Sequence, residues 1–320
     1  SSNMQRNCST TMNDGMLLIN KYHGITSFDV IARLRKILGV RRIGHCGTLD
    51  PIARGLILVC VGRATKLVQF LSSQEKEYTA DILLGKSTNT FDRYGVVTRE
   101  SDWSAISESD VLEALESFKG DIEQIVPPHS AVKYNGKPLY EYARKDIDVP
   151  VKRRMVTIRR IELLKFDPPH IKIEVVCSKG TYIRSLANDL GRKLGSGAHL
   201  FDLCRTRIGR FELDDALTLG QIGARRELGR LDEKLIALSD ALKLPSLTVD
   251  DSCVSGIQGG ADVLGSYITK ASEDFEVGQR ISLIDASGKL LAVGEALIGS
   301  AELRMNKTDL NPVFKYIRVI

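Results

Sequence analysis

The sequence predicts an α+β fold, with a larger domain on a mixed, largely antiparallel sheet over residues 16–245 and a small β-rich domain over residues 246–320. Three observations predict it. Strand-like and helix-like segments follow one another in mixed order, without the repeating βαβ alternation of a parallel sheet. Neighbouring strand-like runs are joined by short turns, as in "FDPPHIK" (166–172), which makes them antiparallel partners. After "LKLPSL" (242–247) the texture shifts to short strands and many glycines.

"MLLIN" (16–20) has the continuous apolar character of a buried strand. "TSFDVIARLRKIL" (26–38) reads as a helix, because Val30, Ile31, Leu34, Ile37 and Leu38 recur at helical spacing behind a Thr/Ser cap and Gly39 stops the run. "LILVCVG" (56–62) is an apolar run of strand length, and "TKLVQFL" (65–71) is a short helix. "YTADILLG" (78–85) alternates Tyr78, Ala80, Ile82 and Leu84, the period of a half-buried strand. "SESDVLEALESF" (107–118) opens with Ser107 and Asp110 placed for a capping box, and the helix is expected to turn Val111, Leu112, Leu115 and Phe118 inward. The Pro pair of "VPPHSAVKYNGKPLYEYAR" (126–144) predicts a shaped loop before more helix. Two strands follow, "VTIRRIELLKF" (156–166) and "IKIEVVC" (171–177). The helix "TYIRSLANDLGRKL" (181–194) directs Ile183, Leu186, Ala187, Leu190 and Leu194 inward, with Gly195 past its end. In the small domain, "ISLIDASGKLLAVGEA" (281–296) is a hairpin turning at Ala286, Ser287 and Gly288, and "FKYIRVI" closes the chain as a strand.

Apolar residues make up 43% and charged residues 27%, an ordinary globular composition that argues against disorder and fibrous repeats. No run approaches the roughly 20 apolar residues of a membrane span. "SSNMQRNCSTTMNDG" (1–15) lacks the apolar core of a signal peptide and reads as a disordered extension or cloning remnant. These features predict a cytoplasmic protein with no membrane partner. The cysteines, Cys8, Cys46, Cys60, Cys177, Cys204 and Cys253, lack the close spacing of a zinc or redox pair, so no metal site and no disulfide framework is expected. Net charge is only +5, yet basic residues cluster in "RLRKILGVRR" (33–42), "VKRRMVTIRR" (151–160) and "RTRIGR" (205–210). Such clusters suit a polyanion such as nucleic acid, or simply solvated faces and a charged edge strand.

"LLGKST" (83–88) ends like a phosphate-binding loop, but that loop needs a glycine where Ala80 stands. No G-x-G-x-x-G follows a strand either, so neither a nucleoside triphosphate nor a dinucleotide cofactor is expected. "GHCGTLDPIARG" (44–55) is different: Gly44, Gly47 and Gly55 surround a turn, and Pro51 forces Asp50 out of helical conformation. Taken alone, Asp50 reads as a turn-former and His45 as a hydrogen-bonded structural residue.

Read with "KEYTA" (76–80), "SAVKYNGKPLYEYAR" (130–144) and "SKGTYIRSLANDLG" (178–191), in this order, the segment resembles the TruB-type tRNA pseudouridine synthases. The resemblance runs from about Met16 to beyond Arg210, and the β-rich tail is similar to the PUA domain of those enzymes. "FKGDIEQIVPP" and "TNTFDRYG" point to the bacterial stand-alone branch, which uses no guide RNA. The resemblance implies isomerisation of uridine 55 in the T loop of tRNA, without cofactor, by a monomer. It implies that Asp50 is the catalytic nucleophile, that Arg184 pairs with it, and that Tyr78 stacks on the base and handles the C5 proton. Tyr182 would be a second pocket tyrosine, Lys66 a pocket-side lysine, Leu203 part of the uracil site, and His45 the residue that takes the place of extruded bases. Lys133, Arg144, Lys179 and Arg205 are candidate phosphate contacts, since RNA is gripped by shape and backbone. Two departures stand out, Arg54 where many relatives carry a small or hydroxyl residue, and Cys46 at a variable position. Two rivals stay open, a non-catalytic RNA chaperone and a guide-RNA-dependent rRNA synthase subunit.

Overall fold

The computed structural model describes residues 12–305 and 310–320. The first eleven residues of the expected extension, with Cys8, lie outside the described residues. Its last residues do not behave as a tail: Asp14 pairs with Arg63 at 2.5 Å, and Gly15 already begins a strand.

Nine strands form the main sheet. Its path runs Gly15–Lys21, Ala53–Val61, Ala198–Ile208, Lys76–Leu84, His170–Cys177, Arg153–Asp167 and Gly120–Ile125. Two short strands, Ile43–His45 and Phe211–Glu212, pair off this path. Neighbours are antiparallel except at one place, where Leu203–Arg205 run parallel to Ala53–Gly55. At that seam Gly55, at φ +112, brings two backbones together so closely that a Cβ would lie 2.3 Å from the Arg205 carbonyl oxygen.

The longer helices pack into the apolar core on one face, and the short helices Val68–Ser72 and Leu238–Leu242 into the cluster on the other. Ser27–Leu38 is capped by Thr26 and Asp29 in a capping box and ended by Gly39 in the left-handed region, so its backbone ends are satisfied. It buries Val30, Ile31, Leu34 and Leu38, each contributing about 2 kcal/mol of apolar burial. Helix Glu108–Glu116 carries the expected capping box, but Leu112 is 50% exposed and Ala114 takes its inward place. The buried set 111, 114 and 115 is one helical stripe, and Leu112 falls off it. Helix Ile183–Leu194 buries Ile183, Leu186, Ala187 and Leu190 as expected and ends at Gly195. The segment 65–71 is not one helix: a 3-10 turn, Gly62–Leu67, leads into a short α-helix, Val68–Ser72. The loop after the Pro pair contains a two-residue hairpin, Lys133–Tyr134 with Lys137–Pro138, ahead of the helix Leu139–Arg144.

A second, five-stranded sheet begins at Ser246 and contains the expected hairpin, Arg280–Ile284 with Leu290–Ala296. It does not stand apart. Leu290, Val293 and Ile320 pack into one apolar cluster with Met16, Leu56, Phe70 and Phe211.

The basic clusters have different fates. Arg159, Arg160 and Arg207 pair with Glu75, Glu77, Glu162 and Glu174. Arg33, Arg35, Lys36, Arg41 and Arg42 remain exposed.

Candidate active site

The loop between Ile43–His45 and Ala53–Val61 carries Asp50, and its backbone is fixed residue by residue. The Arg205 guanidinium donates to the carbonyls of Gly47, Thr48 and Leu56. The Ser27 hydroxyl accepts from the Leu49 amide at 2.9 Å. The Asp50 carbonyl accepts from the Ala53 amide at 2.9 Å, the Pro51 carbonyl from the Gly24 amide at 2.8 Å, and the Ile52 carbonyl contacts His23 Nδ1 at 2.8 Å. The turn reading of Asp50 therefore holds, and it coexists with something else. The Asp50 side chain, 31% exposed, meets Arg184 Nε at 2.8 Å across 134 residues of sequence.

Arg184 is 4% exposed and spends its other donors on the carbonyls of Thr90 and His129, both at 3.2 Å. One guanidinium thus ties two loops to one carboxylate, with the planar fork that lysine lacks. Its helix is held at the start by Gln124, which is fully buried: the Tyr182 amide donates to Gln124 Oε1 at 2.9 Å and Gln124 Nε2 donates to the Tyr182 carbonyl at 3.2 Å.

Asp50 opens onto a cavity of about 360 Å³ lined by Tyr78, Tyr182, Lys179, Leu203, Arg205 and Lys76, a size suited to a small ligand or a single base. Cross-strand register explains the grouping: Tyr78 lies opposite Arg205 on one side and Val175 on the other, and Leu203 is two residues from Arg205 on the same strand. Burial pushes the Tyr78 hydroxyl above its ordinary pKa despite the Arg205 charge, so it stays protonated at neutral pH. Burial raises Tyr182 likewise, and the Arg154 guanidinium lies 5.4 Å from its ring centroid.

Of the expected site residues, the structure brings Asp50, Tyr78, Lys179, Tyr182, Leu203 and Arg205 to the cavity wall, with Arg184 behind Asp50. His45 stands at the end of its short strand with Nδ1 buried and unpaired, and burial lowers its pKa toward the neutral ring. Lys133 and Arg144 are exposed on the hairpin and helix whose neighbours Ala131 and Val132 reach the cavity. Two assignments change. Arg205, 1% exposed with its guanidinium donating to three backbone carbonyls, is a brace for the Asp50 loop and not a surface phosphate contact. Lys66 does not line the cavity, because it sits in the 3-10 turn Gly62–Leu67.

The lysine that does line it is Lys76, and Lys21 is buried near Asp50, with Nζ on the carbonyls of Tyr22 and Ile25. Both ammonium groups are pushed down to about 8 by burial, Lys21 against the opposing pull of Asp50. Neither stands out in the sequence. The signal for Lys76 lies in the alternation, since it occupies the inward position two residues before Tyr78. Arg54 rests beside Cys204 at 3.3 Å and Asp202 at 4.0 Å, outside the reacting region. Among the described residues, no group of three or more His, Cys, Asp or Glu side chains is placed to hold a metal ion, and no helix is long and apolar enough to cross a membrane.

Residues 35–183 match the family model described as TruB family pseudouridylate synthase (N terminal domain), residues 184–243 the tRNA pseudouridylate synthase B C-terminal domain, and residues 245–310 the PUA domain. Sheet, helix 183–194 and Asp–Arg pair therefore belong to a pseudouridine synthase, an isomerase. Curated proteins named tRNA pseudouridine synthase B are similar over most of their length. That of Bacillus subtilis is 39% identical over 93% of this chain and 100% of its own, and that of Pelotomaculum thermopropionicum 38% over 88% and 91%. Among solved structures, a chain of an H/ACA RNP bound to a substrate RNA containing 2′-deoxyuridine superposes with a TM-score of 0.73 at 26% identity, covering 95% of this chain and 84% of that one. A chain of a Cbf5-Nop10-Gar1 complex gives 0.73 at 28% identity with the same coverage. The chain belongs to the TruB family of pseudouridylate synthases.

Proposed function

We propose that this protein is a tRNA pseudouridine synthase that isomerises uridine 55 of the T loop, with Asp50 as the nucleophile. The observation that carries the reading is the Asp50 carboxylate on a fully braced turn, 2.8 Å from a buried arginine and open to a base-sized cavity. A carboxylate paired with a fixed guanidinium and facing a base-sized cavity is placed for attack on sugar or base. The reaction breaks the bond from ribose C1′ to uracil N1, turns the base, and joins C1′ to C5. A stacked base exposes neither C1′ nor C5, so the uridine must leave its stack, with His45 filling the gap. Tyr78 then lies against the extruded base, and residues 246–320 grip RNA further along.

The names of the relatives support tRNA as the substrate; in the same reading the protein acts alone, without guide RNA, in the cytoplasm. Purified protein incubated with unmodified tRNA should place pseudouridine at position 55. Asp50→Asn should bind that tRNA within about twofold of wild type while releasing no tritium from uridine labelled at C5. Tritium release by the variant, or modification at another position, would overturn the assignment.

A further inference from the structure

Strand Lys76–Leu84 turns Lys76, Tyr78, Ala80, Ile82 and Leu84 to its buried face. Four of these suit a core face, and a lysine does not. Lys76 is 5% exposed and lines the Asp50 cavity. An ammonium has three N–H donors. Nζ spends two on the carbonyls of Ser72 and Gln74, at 2.6 and 2.5 Å, and the third has no partner among the described residues. Neutral donors would hold two carbonyls equally well without the cost of burying a charge. The charge itself therefore needs a use.

We propose that Lys76 is a catalytic residue, whose free N–H donates to a carbonyl oxygen of the uracil ring and holds the negative charge that develops there. The role rests on Asp50 acting on an extruded uridine. If Asp50 attacks C1′, the C1′–N1 bond breaks and its electron pair leaves with the ring, spreading onto the carbonyl oxygens. If Asp50 attacks C6, the C5=C6 pair moves toward the C4 carbonyl oxygen. Either way a ring oxygen becomes anionic. In either route C1′–N1 breaks and C1′–C5 forms; the bond to Asp50, at C1′ or at C6, breaks with its electron pair returning to the carboxylate, the C5 proton departs and N1 takes one up, so the product is an isomer of the substrate. A fixed cation in a dry site stabilises such charge without reorganising.

The surroundings set the useful pH range. Burial comes first, then the Arg205 charge on the neighbouring strand, and more weakly Lys179 on the loop before helix 183–194, all favouring the neutral amine. The Cys177 and Cys46 thiols oppose them, and Asp50 and Tyr78 share the cavity. Held down to about 8, Lys76 is a cation at neutral pH and loses its proton just above.

The test compares pseudouridine formation in unmodified tRNA, and tRNA affinity, for wild type, Lys76→Met and Lys76→Arg. Lys76→Met should lower kcat about 100-fold and leave Kd within about twofold. Lys76→Arg, a cation at every accessible pH, should restore most of the turnover and move the alkaline limb of kcat upward by about one pH unit or more. Wild-type kcat in Lys76→Met, or an unmoved limb in Lys76→Arg, would overturn the role of Lys76 while leaving the functional reading intact. A wild type that makes no pseudouridine in tRNA would overturn both. Should Lys76→Met fail to fold by circular dichroism, the alkaline limb of Lys76→Arg decides: a raised limb supports the role and an unmoved one removes it.

Discussion

At the scale of single residues, the site depends on reach as much as on charge. Arg184 contacts Asp50, Thr90 and His129 at once because a guanidinium projects its donors in a plane. In Arg184→Lys a single ammonium without the planar fork cannot span all three, so Asp50 keeps a cation nearby and loses its fixed orientation. Turnover should fall about 100-fold while tRNA affinity holds within about threefold, as expected for misplacement by about 1 Å. Pseudouridine formation under saturating tRNA checks this, and an unimpaired Arg184→Lys would show that orientation by the fork is dispensable. Residues of this kind are legible only through the resemblance, since nothing in composition or spacing brings position 50 to position 184. The two corrected residues share one cause. "RTRIGR" looks like a surface cluster, yet strand register sends Arg205 inward and Arg207 to the glutamates. Lys66 and Lys76 both lie beside short apolar runs, and only the alternation of the following strand tells which one faces the cavity.

At the scale of elements, most of the fold is readable because periodicity and end signals agree. Capping boxes at Thr26 and Ser107 and the left-handed glycines at 39 and 195 mark helix ends that the backbone then obeys. What local sequence does not carry is the pairing of distant strands. The parallel seam between Ala53–Val61 and Ala198–Ile208 joins segments far apart in the chain, and it places the Asp50 turn above Arg205. Gly55 makes that seam close. Gly55→Ala would set a methyl 2.3 Å from the Arg205 carbonyl oxygen at a φ that disfavours side chains, costing about 2–5 kcal/mol and loosening the Asp50 turn. Gly136→Ala has a similar positive φ but nothing within 4 Å of the new methyl, and should cost about 1 kcal/mol. Urea denaturation of the two variants measures the difference. Equal midpoints would mean that strand approach at residue 55 is not a constraint.

At the scale of the whole molecule, the two sheets share apolar surface, which couples their stabilities. Leu290, Val293 and Ile320 from the second sheet's side pack with Met16, Leu56, Phe70 and Phe211, and Arg280 lies 5.1 Å from the Phe70 ring centroid. Unfolding residues 246–320 alone would expose the first group and strip cover from the second. Each fully buried apolar side chain so uncovered costs about 1.5–3 kcal/mol, so partial unfolding is penalised by a sizeable share of a domain's net stability. Differential scanning calorimetry should therefore record one cooperative transition for the full chain, with van't Hoff and calorimetric enthalpies in agreement. Val293→Asp should lower the transition of the whole chain, since a buried charge in the shared cluster weakens both partners. The same coupling bears on deletions: a chain ending at residue 245 should lose thermal stability together with RNA affinity. Two well-separated transitions in the wild type, or a Val293→Asp transition that splits while the larger part keeps its midpoint, would show that the sheets fold independently and that their contact contributes little.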